Sequence, residues 1–358
     1  MKKLLSLLLA VLMIVTLAAC SGGSSTKKDA GELYIFLPGE YISDDAIKAF
    51  KKETGIDVKI TTFDSNESMY TKLLGGTTYD IVIPSDYMIE RLINEKLVQK
   101  LDKSKLTCLD ALYDGVKNAE YDPNNDWSVP YFWGNVGLVY DTTVVDSADV
   151  ESQGWAVLQN TKYAGQIYMY DSIRDAFMMA EKALGLSMNT TSEEELNAAY
   201  EWLSVISDTM DPAFVTDEAI DGLATGEKAM GMMYSGDAAY ILSENEDMDY
   251  WAPTEGTNYW IDAMCIQEGA KNVDNAYAFI NYITDYDGAY ENSSFVGYAS
   301  VNAEVLEDIT AEGGDFEGNN AYIPRPRNAK DETFHSNTDA LKDALKISSE
   351  LWVKVKNR

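Results

Sequence analysis

Aromatic rings and carboxylates recur as neighbours in this sequence. Trp260 and Asp262 stand two positions apart in the segment TNYWIDAMCIQ, and residues i and i+2 of a strand point to one face. Comparable groups follow other predicted strands: Glu40 with Tyr41, Asp86 with Tyr87, Tyr234 with Asp237, and Gly297 with Tyr298.

This combination of residue types suits a protonated amine. A ring face attracts an ammonium group by about 0.5–2 kcal/mol, and a carboxylate accepts a charge-assisted hydrogen bond from it. A single pair is more often a packed ring beside a solvated acid, because the chain has 11% aromatic residues and 59 acidic ones. All of these groups fall where strands should end, so we predict that together they form an amine-binding site.

Familiar catalytic and metal-binding patterns are absent from the sequence. It contains no nucleophile elbow, P-loop, zinc-protease or paired-cysteine motif, and its single histidine, His335, lies among polar residues and is interpreted as a surface side chain. The segment DPNNDW (122–127) begins like a calcium loop, but Trp127 stands where that loop needs glycine. We expect no metal and no cofactor, while an acid/base hydrolase stays open.

Alternating strands and helices must position these side chains. The segments ELYIFL (32–37), IDVKI (56–60) and DIVIP (80–84) read as strands, and amphipathic helical segments separate them. This order predicts a parallel sheet with helices on both faces. Ligands bind at the carboxyl ends of such strands, which places PGEY (38–41) and PSDY (84–87) at one rim.

A second α/β set follows. The segments GNVGLVYD (134–141) and GQIYMYD (165–171) read as strands, and the chain ends in a predicted helix. The chain length of 358 residues favours a division into two lobes. We expect the first lobe to contain residues 31–138 and 263–305, and the second to contain 139–262 and 306–358, with chain crossings near 138–140, 262 and 305.

The N-terminus indicates export. The first 19 residues have two lysines, an apolar run and small residues before Cys20, the pattern of a signal peptide. The segment Leu17-Ala18-Ala19-Cys20 resembles the lipobox of bacterial lipoproteins, which implies lipidation at Cys20. The Gly/Ser-rich residues that follow indicate a flexible tether over 20–30. The body is then expected outside the cell membrane, held by its lipid, and no later apolar run is long enough to span a membrane.

Charge and cysteine content narrow the partners. The formal net charge is −31, which makes nucleic acid and anionic lipid headgroups poor partners. A cationic ligand would be concentrated near such a surface, although the same acidity could simply keep an exported protein soluble. Beyond Cys20 the chain has Cys108 and Cys265; we expect both to be buried and free.

Several segments carry a family resemblance between residues 32 and 302. They are LYIFLPGEY, KETGIDVKITTFDSNESMYTKL, YDIVIPSDYMIERLINEKLVQKLDKSKL, YDPNNDWSVPYFWGNVGLVYD, YWIDAMCI and FVGYASVN. In these segments the chain resembles the spermidine/putrescine-binding proteins of ABC importers. The resemblance implies a two-lobed periplasmic-binding-protein fold, α/β in class, with mixed, mostly parallel sheets. It also implies a polyamine in the cleft between the lobes, no catalysis, a monomeric state, and a permease and an ATPase as partners.

The resemblance carries over unevenly to individual residues. Positions that match the binding residues of the family are Tyr41, Ser85, Tyr87, Trp260, Asp262 and Tyr298. Asp175 replaces a glutamate and Tyr234 a tryptophan, while Asp237 stands where putrescine-preferring members have an aspartate. The chain departs from the family at two places. Leu37-Pro38-Gly39 stands where the family has a segment with one aromatic residue of the site wall. Ser172 stands where spermidine binders have an aspartate, although the adjacent Asp171 could take its place.

These matches lead to an assignment of roles. Asp262 and Asp237 are predicted to hold one ammonium group, and Asp175 or Asp171 another. Arg174 is expected to orient neighbouring carboxylates. The methylene chain would lie against Tyr41, Tyr87, Tyr234, Trp260 and Tyr298. A binding protein for a sugar or a different amine, a lipid-anchored hydrolase and a purely structural surface protein remain alternatives, and the sequence does not rank putrescine against spermidine.

Overall fold

The computed structural model describes residues 30–323 and 325–358. The predicted signal peptide (1–19), Cys20 and nearly all of the predicted tether lie outside the described residues, so lipidation stays a prediction. Within the described ranges, no helix is both long and apolar enough to cross a membrane.

Three parallel strands and their helices form the first lobe. The order along the chain is β1 (Glu32–Pro38), α1 (Asp44–Thr54), β2 (Asp57–Phe63), α2 (Asn66–Leu74), β3 (Ile81–Val82) and α3 (Asp86–Asn94). Strand β1 pairs in parallel with both β2 and β3. Helix α1 begins where the Ser43 hydroxyl accepts hydrogen bonds from the Asp45 and Ala46 amides, and ends at Gly55, whose φ of 81° favours glycine.

The long strand β4 (Val129–Asp141) joins the two lobes. Twelve of its thirteen residues are buried, which fits a strand enclosed on both faces. Up to Asn135 it pairs with strands of the first lobe, and from Val136 onward with strands of the second. The change of partners comes earlier than the expected crossing at 138–140; the lobe boundaries themselves stay a prediction.

The second lobe repeats the alternation. Its elements are α4 (Ser147–Gln153), β5 (Ile167–Tyr170), α5 (Ile173–Ala183), α6 (Glu193–Met210), β6 (Ala213–Val215), α7 (Glu218–Ala224), β7 (Met230–Tyr234), α8 (Ser235–Glu244) and β8 (Met248–Trp251). Strand β5 pairs in parallel with β6 and β7, and β7 and β8 are antiparallel to β4.

The chain then returns to the first lobe and ends on the second. The remaining elements are β9 (Tyr259–Ile266), α9 (Val273–Thr284), α10 (Tyr286–Val296), β10 (Ala299–Ser300), α11 (Ala303–Asp308) and α12 (Asp339–Lys356). Strand β9 is buried throughout and lies antiparallel between β3 and β4. Helix α12 packs on α5 and α6 through a buried stripe that includes Ala344, Leu351 and Trp352.

Both remaining cysteines behave as expected. Cys108 and Cys265 are buried and free, which confirms that prediction. The segment 307–320 is in part packed: α11 extends into it, and the Phe316 ring stacks on Tyr322 at a centroid distance of 4.2 Å.

Candidate ligand-binding cleft

The strand ends of the two lobes meet at a cleft. Strands β1 and β3 of the first lobe and β5 and β7 of the second all lead into it, and it encloses a cavity of about 310 Å³. Eight of the ten predicted binding residues line it: Tyr41, Ser85, Tyr87, Asp175, Tyr234, Trp260, Asp262 and Tyr298.

Asp262 lies at the first-lobe wall of the cavity. Its side chain is buried, and the Tyr41 hydroxyl donates a hydrogen bond to Oδ2 at 2.5 Å. Tyr41 is itself held by a hydrogen bond from the Tyr131 hydroxyl to its carbonyl oxygen. Burial raises the pKa of Asp262 to about 6, against the opposing effects of Tyr41 and Ser85. The carboxylate is therefore desolvated and would be stabilised by a cation.

Four aromatic rings form a continuous wall from Asp262 towards the second lobe. The centroid distances are 5.8 Å between Tyr41 and Tyr298, 5.1 Å between Tyr298 and Trp260, and 6.5 Å between Trp260 and Tyr234. All three contacts are edge-to-face, a favoured arrangement of rings. Buried Trp260 Nε1 has no hydrogen-bond partner among the described residues.

Asp175 lies at the opposite end of the aromatic wall, in the first turn of α5. The hydroxyls of Ser172 and Tyr234 donate to its Oδ2 at 2.6 and 2.7 Å. Its Oδ1 is buried and accepts no hydrogen bond from a described residue. Burial raises the pKa of Asp175. A buried acceptor without a donor is unfavourable, so Oδ1 is a candidate partner for a ligand ammonium group.

Asp237 does not line the cavity, although Tyr298 does. The Tyr298 hydroxyl donates to Asp237 Oδ1 at 3.1 Å, and burial raises the pKa of Asp237 to about 7. Asp237 therefore supports Tyr298, which faces the cavity. That Asp237 and Asp262 share one ammonium group stays a prediction.

Asp171 is also outside the cavity lining, and its carboxylate has partners elsewhere, so a direct ligand contact of Asp171 stays a prediction. Lys356 Nζ and Trp352 Nε1, both on α12, lie 2.7 Å from its carboxylate oxygens. Burial acts to raise the pKa of Asp171, but these hydrogen bonds outweigh it and lower the pKa. Asp171 therefore anchors the C-terminal helix, and Ser172 faces the cavity beside Asp175.

Arg174 connects the two walls of the cavity. Its guanidinium lies 4.4 Å from the centre of the Tyr87 ring, and Nη2 lies 3.3 Å from Glu67 Oε1. Both partners belong to the first lobe, whereas Arg174 is on α5. Arg174 thus contacts the Glu67 carboxylate and the Tyr87 ring, while its role in orienting the carboxylates of the cleft stays a prediction.

Seven lining residues were not among the ten predicted site residues: Pro38, Asn66, Asp86, Ser172, Arg174, Asn258 and Phe334. Asp86 is buried and accepts hydrogen bonds from the Tyr87 and Ile261 amides. Burial is the largest effect on its pKa and raises it to about 7. The sequence signal for Asp86 is its position in PSDY, directly before Tyr87. Phe334 belongs to an irregular segment with no motif.

Comparison with known proteins gives the family. A family profile described as bacterial extracellular solute-binding protein matches residues 45–317. The chain belongs to this family. A relative from Escherichia coli K12, the spermidine/putrescine-binding periplasmic protein, is 35% identical over 286 residues, which cover 79% of this chain and 81% of the relative.

Solved structures of family members confirm the fold class. A spermidine/putrescine ABC transporter substrate-binding protein from Streptococcus pneumoniae has a TM-score of 0.76 at 34% identity and covers 91% of this chain and 99% of its own. A protein from Listeria monocytogenes described as a putative spermidine/putrescine ABC transporter has a TM-score of 0.78, also at 34% identity, with coverages of 91% and 98%. The predicted two-lobed α/β periplasmic-binding-protein fold is confirmed.

Proposed function

We propose that this protein captures a polyamine, putrescine or spermidine, outside the cell membrane and delivers it to the permease of an ABC importer. The observation that carries the proposal is the series of contacts across the cleft: Asp175, then the rings of Tyr234, Trp260, Tyr298 and Tyr41, then Asp262. Two buried carboxylates joined by an aromatic wall match a linear molecule with an ammonium group at each end and methylenes between.

Electrostatics favour a cation over a neutral solute. Asp86, Asp175 and Asp262 line one cavity, and burial raises the pKa of each. A sugar could stack on the aromatic rings, but it would leave these carboxylates without an opposite charge. An ammonium group offsets the desolvation of a carboxylate and donates charge-assisted hydrogen bonds to it.

The relatives support the rest of the proposal. The names of the Escherichia coli and Streptococcus pneumoniae proteins state polyamine binding, and the latter also states ABC transport. We infer further that the protein acts without catalysis, as a monomer, with a permease and an ATPase as partners. The lipobox-like segment that ends at Cys20 supports a lipid anchor there. The two lobes would close over the polyamine and open to release it.

The test is isothermal titration of residues 27–358 with putrescine, spermidine, spermine and maltose. We expect at least one polyamine to bind and maltose not to bind. Asp262→Asn should weaken the bound polyamine by about tenfold or more, since a hydrogen bond to a charged group contributes about 1.5–3 kcal/mol. The matched control is Asp287→Asn, which changes an exposed aspartate on α10.

Binding of maltose without any polyamine would overturn the proposal in favour of a sugar-binding protein. Equal polyamine affinities for the wild type and Asp262→Asn would leave polyamine binding standing and remove Asp262 from the site.

A further inference from the structure

A second cavity, of about 180 Å³, lies next to the cleft. Arg174 and Phe334 line both cavities and therefore stand between them. We call the second cavity the α5–α12 pocket, because α5 and α12 together supply half of its lining residues. The α5 face consists of Ile173, Phe177 and Glu181, which are spaced four residues apart and so share one side of the helix.

Glu181 is an unusual residue to find in this wall. It is 3% exposed, and its carboxylate makes no hydrogen bond to another described residue. Its neighbour Lys182 does not neutralise it, because Lys182 Nζ lies 2.5 Å from Glu332 Oε2. A buried carboxylate without a paired charge is unfavourable unless a partner reaches it.

The rest of the pocket separates into an apolar interior and a charged mouth. Phe177, Met188 and Leu196 line the interior, and Met188 and Leu196 are themselves buried. Arg91 and Lys342 also line the pocket, and their side chains keep 27% and 49% exposure. The cations therefore lie towards solvent, and the carboxylate lies inside.

We propose that the α5–α12 pocket binds a small aliphatic monoamine, separately from the polyamine cleft. Its ammonium group pairs with the Glu181 carboxylate, and its alkyl chain packs against Phe177, Met188 and Leu196. The ligand carries one charge, because the other carboxylate that lines this pocket, Glu67, is already paired with Arg174 and leaves no free partner for a second ammonium group.

The charges around Glu181 agree with a cationic occupant. Burial raises the pKa of Glu181 to about 8; Lys182 acts to lower it, and Glu332 and Glu195 act to raise it. Of these, Glu332 is bonded to Lys182, and Glu195 accepts a hydrogen bond from Thr190. An ammonium group beside Glu181 would supply the positive charge that these neighbours do not.

The experiment is a titration of residues 27–358 with n-butylamine, followed by NMR or calorimetry at a pH above the pKa of Glu181. Putrescine is present at saturation to fill the cleft. We expect n-butylamine to bind under these conditions, and Glu181→Gln to weaken this binding by about tenfold or more. The control Glu194→Gln, which changes an exposed glutamate on α6, should leave it unchanged.

Two results would overturn the inference: no n-butylamine binding when the cleft is filled, or equal binding by the wild type and Glu181→Gln. If Glu181→Gln does not fold, Glu181→Leu, which fills the same space without a charge, gives the same test. Repeating the titration in an Asp175→Asn, Asp262→Asn background removes amine binding at the cleft by mutation. Failure of the polyamine proposal is then distinguishable from failure of this one.

Discussion

Replacing Asp262 with asparagine should make the unliganded protein more stable at neutral pH while it weakens ligand binding. The carboxylate is buried, and its pKa is raised from 3.8 to about 6. In the unfolded chain the same group ionises at its ordinary pKa. Ionised Asp262 is thus better solvated when the protein is unfolded, so it lowers the free energy of unfolding. Asparagine keeps an acceptor for the Tyr41 hydroxyl and carries no charge.

The size of the effect follows from the pKa shift. A shift of one unit corresponds to 1.36 kcal/mol, so the move from 3.8 to about 6 lowers the free energy of unfolding by about 3 kcal/mol above pH 6. Below the unfolded pKa both states hold the proton and the effect disappears. The destabilisation caused by Asp262 therefore develops as the pH rises from about 4 to about 6. Removing Asp262 also removes a repulsion that raises the pKa of Asp86, which acts in the same direction.

The assay is urea unfolding, followed by tryptophan fluorescence without ligand, at several values between pH 4 and pH 7. The free energy of unfolding of Asp262→Asn relative to the wild type should rise by more than about 2 kcal/mol across this range. Asp287→Asn should give a curve parallel to that of the wild type, because Asp287 is exposed. Parallel curves for Asp262→Asn and the wild type would refute the argument that burial raises this pKa.

Three other substitutions test the assigned roles. Asp171→Asn should lower the free energy of unfolding by about 1 kcal/mol, because it weakens a partly exposed ion pair with Lys356. The same substitution should leave the polyamine affinity unchanged, and a loss of affinity in titration would return Asp171 to the site. Asp175→Asn should weaken polyamine binding by about tenfold or more, and unchanged affinity would mean that its unpaired Oδ1 does not face the ligand. Trp260→Leu should lower the affinity for a polyamine by about 0.5–2 kcal/mol through loss of the ring face, and an unaltered binding constant would remove the indole from the aromatic wall.

Much of the cleft could be predicted because parallel strands place their carboxyl ends at one edge. Tyr41 and Tyr87 follow β1 and β3, and Asp175 follows β5, so local pattern alone brings them to the rim. Trp260 and Asp262 share a face because strand alternation demands it. These positions depend on local geometry and strand order, both of which leave a signal in the sequence.

Local patterns do not reveal contacts between residues that are far apart in the chain. Asp171 and Asp175 stand at the same strand–helix turn, and what separates their roles is Lys356 of α12, which lies 185 positions away from Asp171. Asp237 follows a strand, as expected, but a tyrosine from beyond α10 contacts it and occupies the cavity wall. Phe334 enters the cleft from a segment without periodicity. Side-chain partners of this kind depend on tertiary packing, which no local pattern encodes.

The position of β9 explains why the cleft can hold buried acids at all. All eight residues of β9 are buried, and the strand lies between β3 and β4, where the sheets of the two lobes join. A carboxylate in such a strand is desolvated by the strands around it, whichever residues flank it in sequence. Asp262 is thereby kept from water even before a ligand arrives, so its charge is available to an ammonium group at little further desolvation. The same burial that makes the unliganded protein less stable thus increases the advantage of binding a cation, and the aspartate between β3 and β4 links the stability of the fold to occupancy of the cleft.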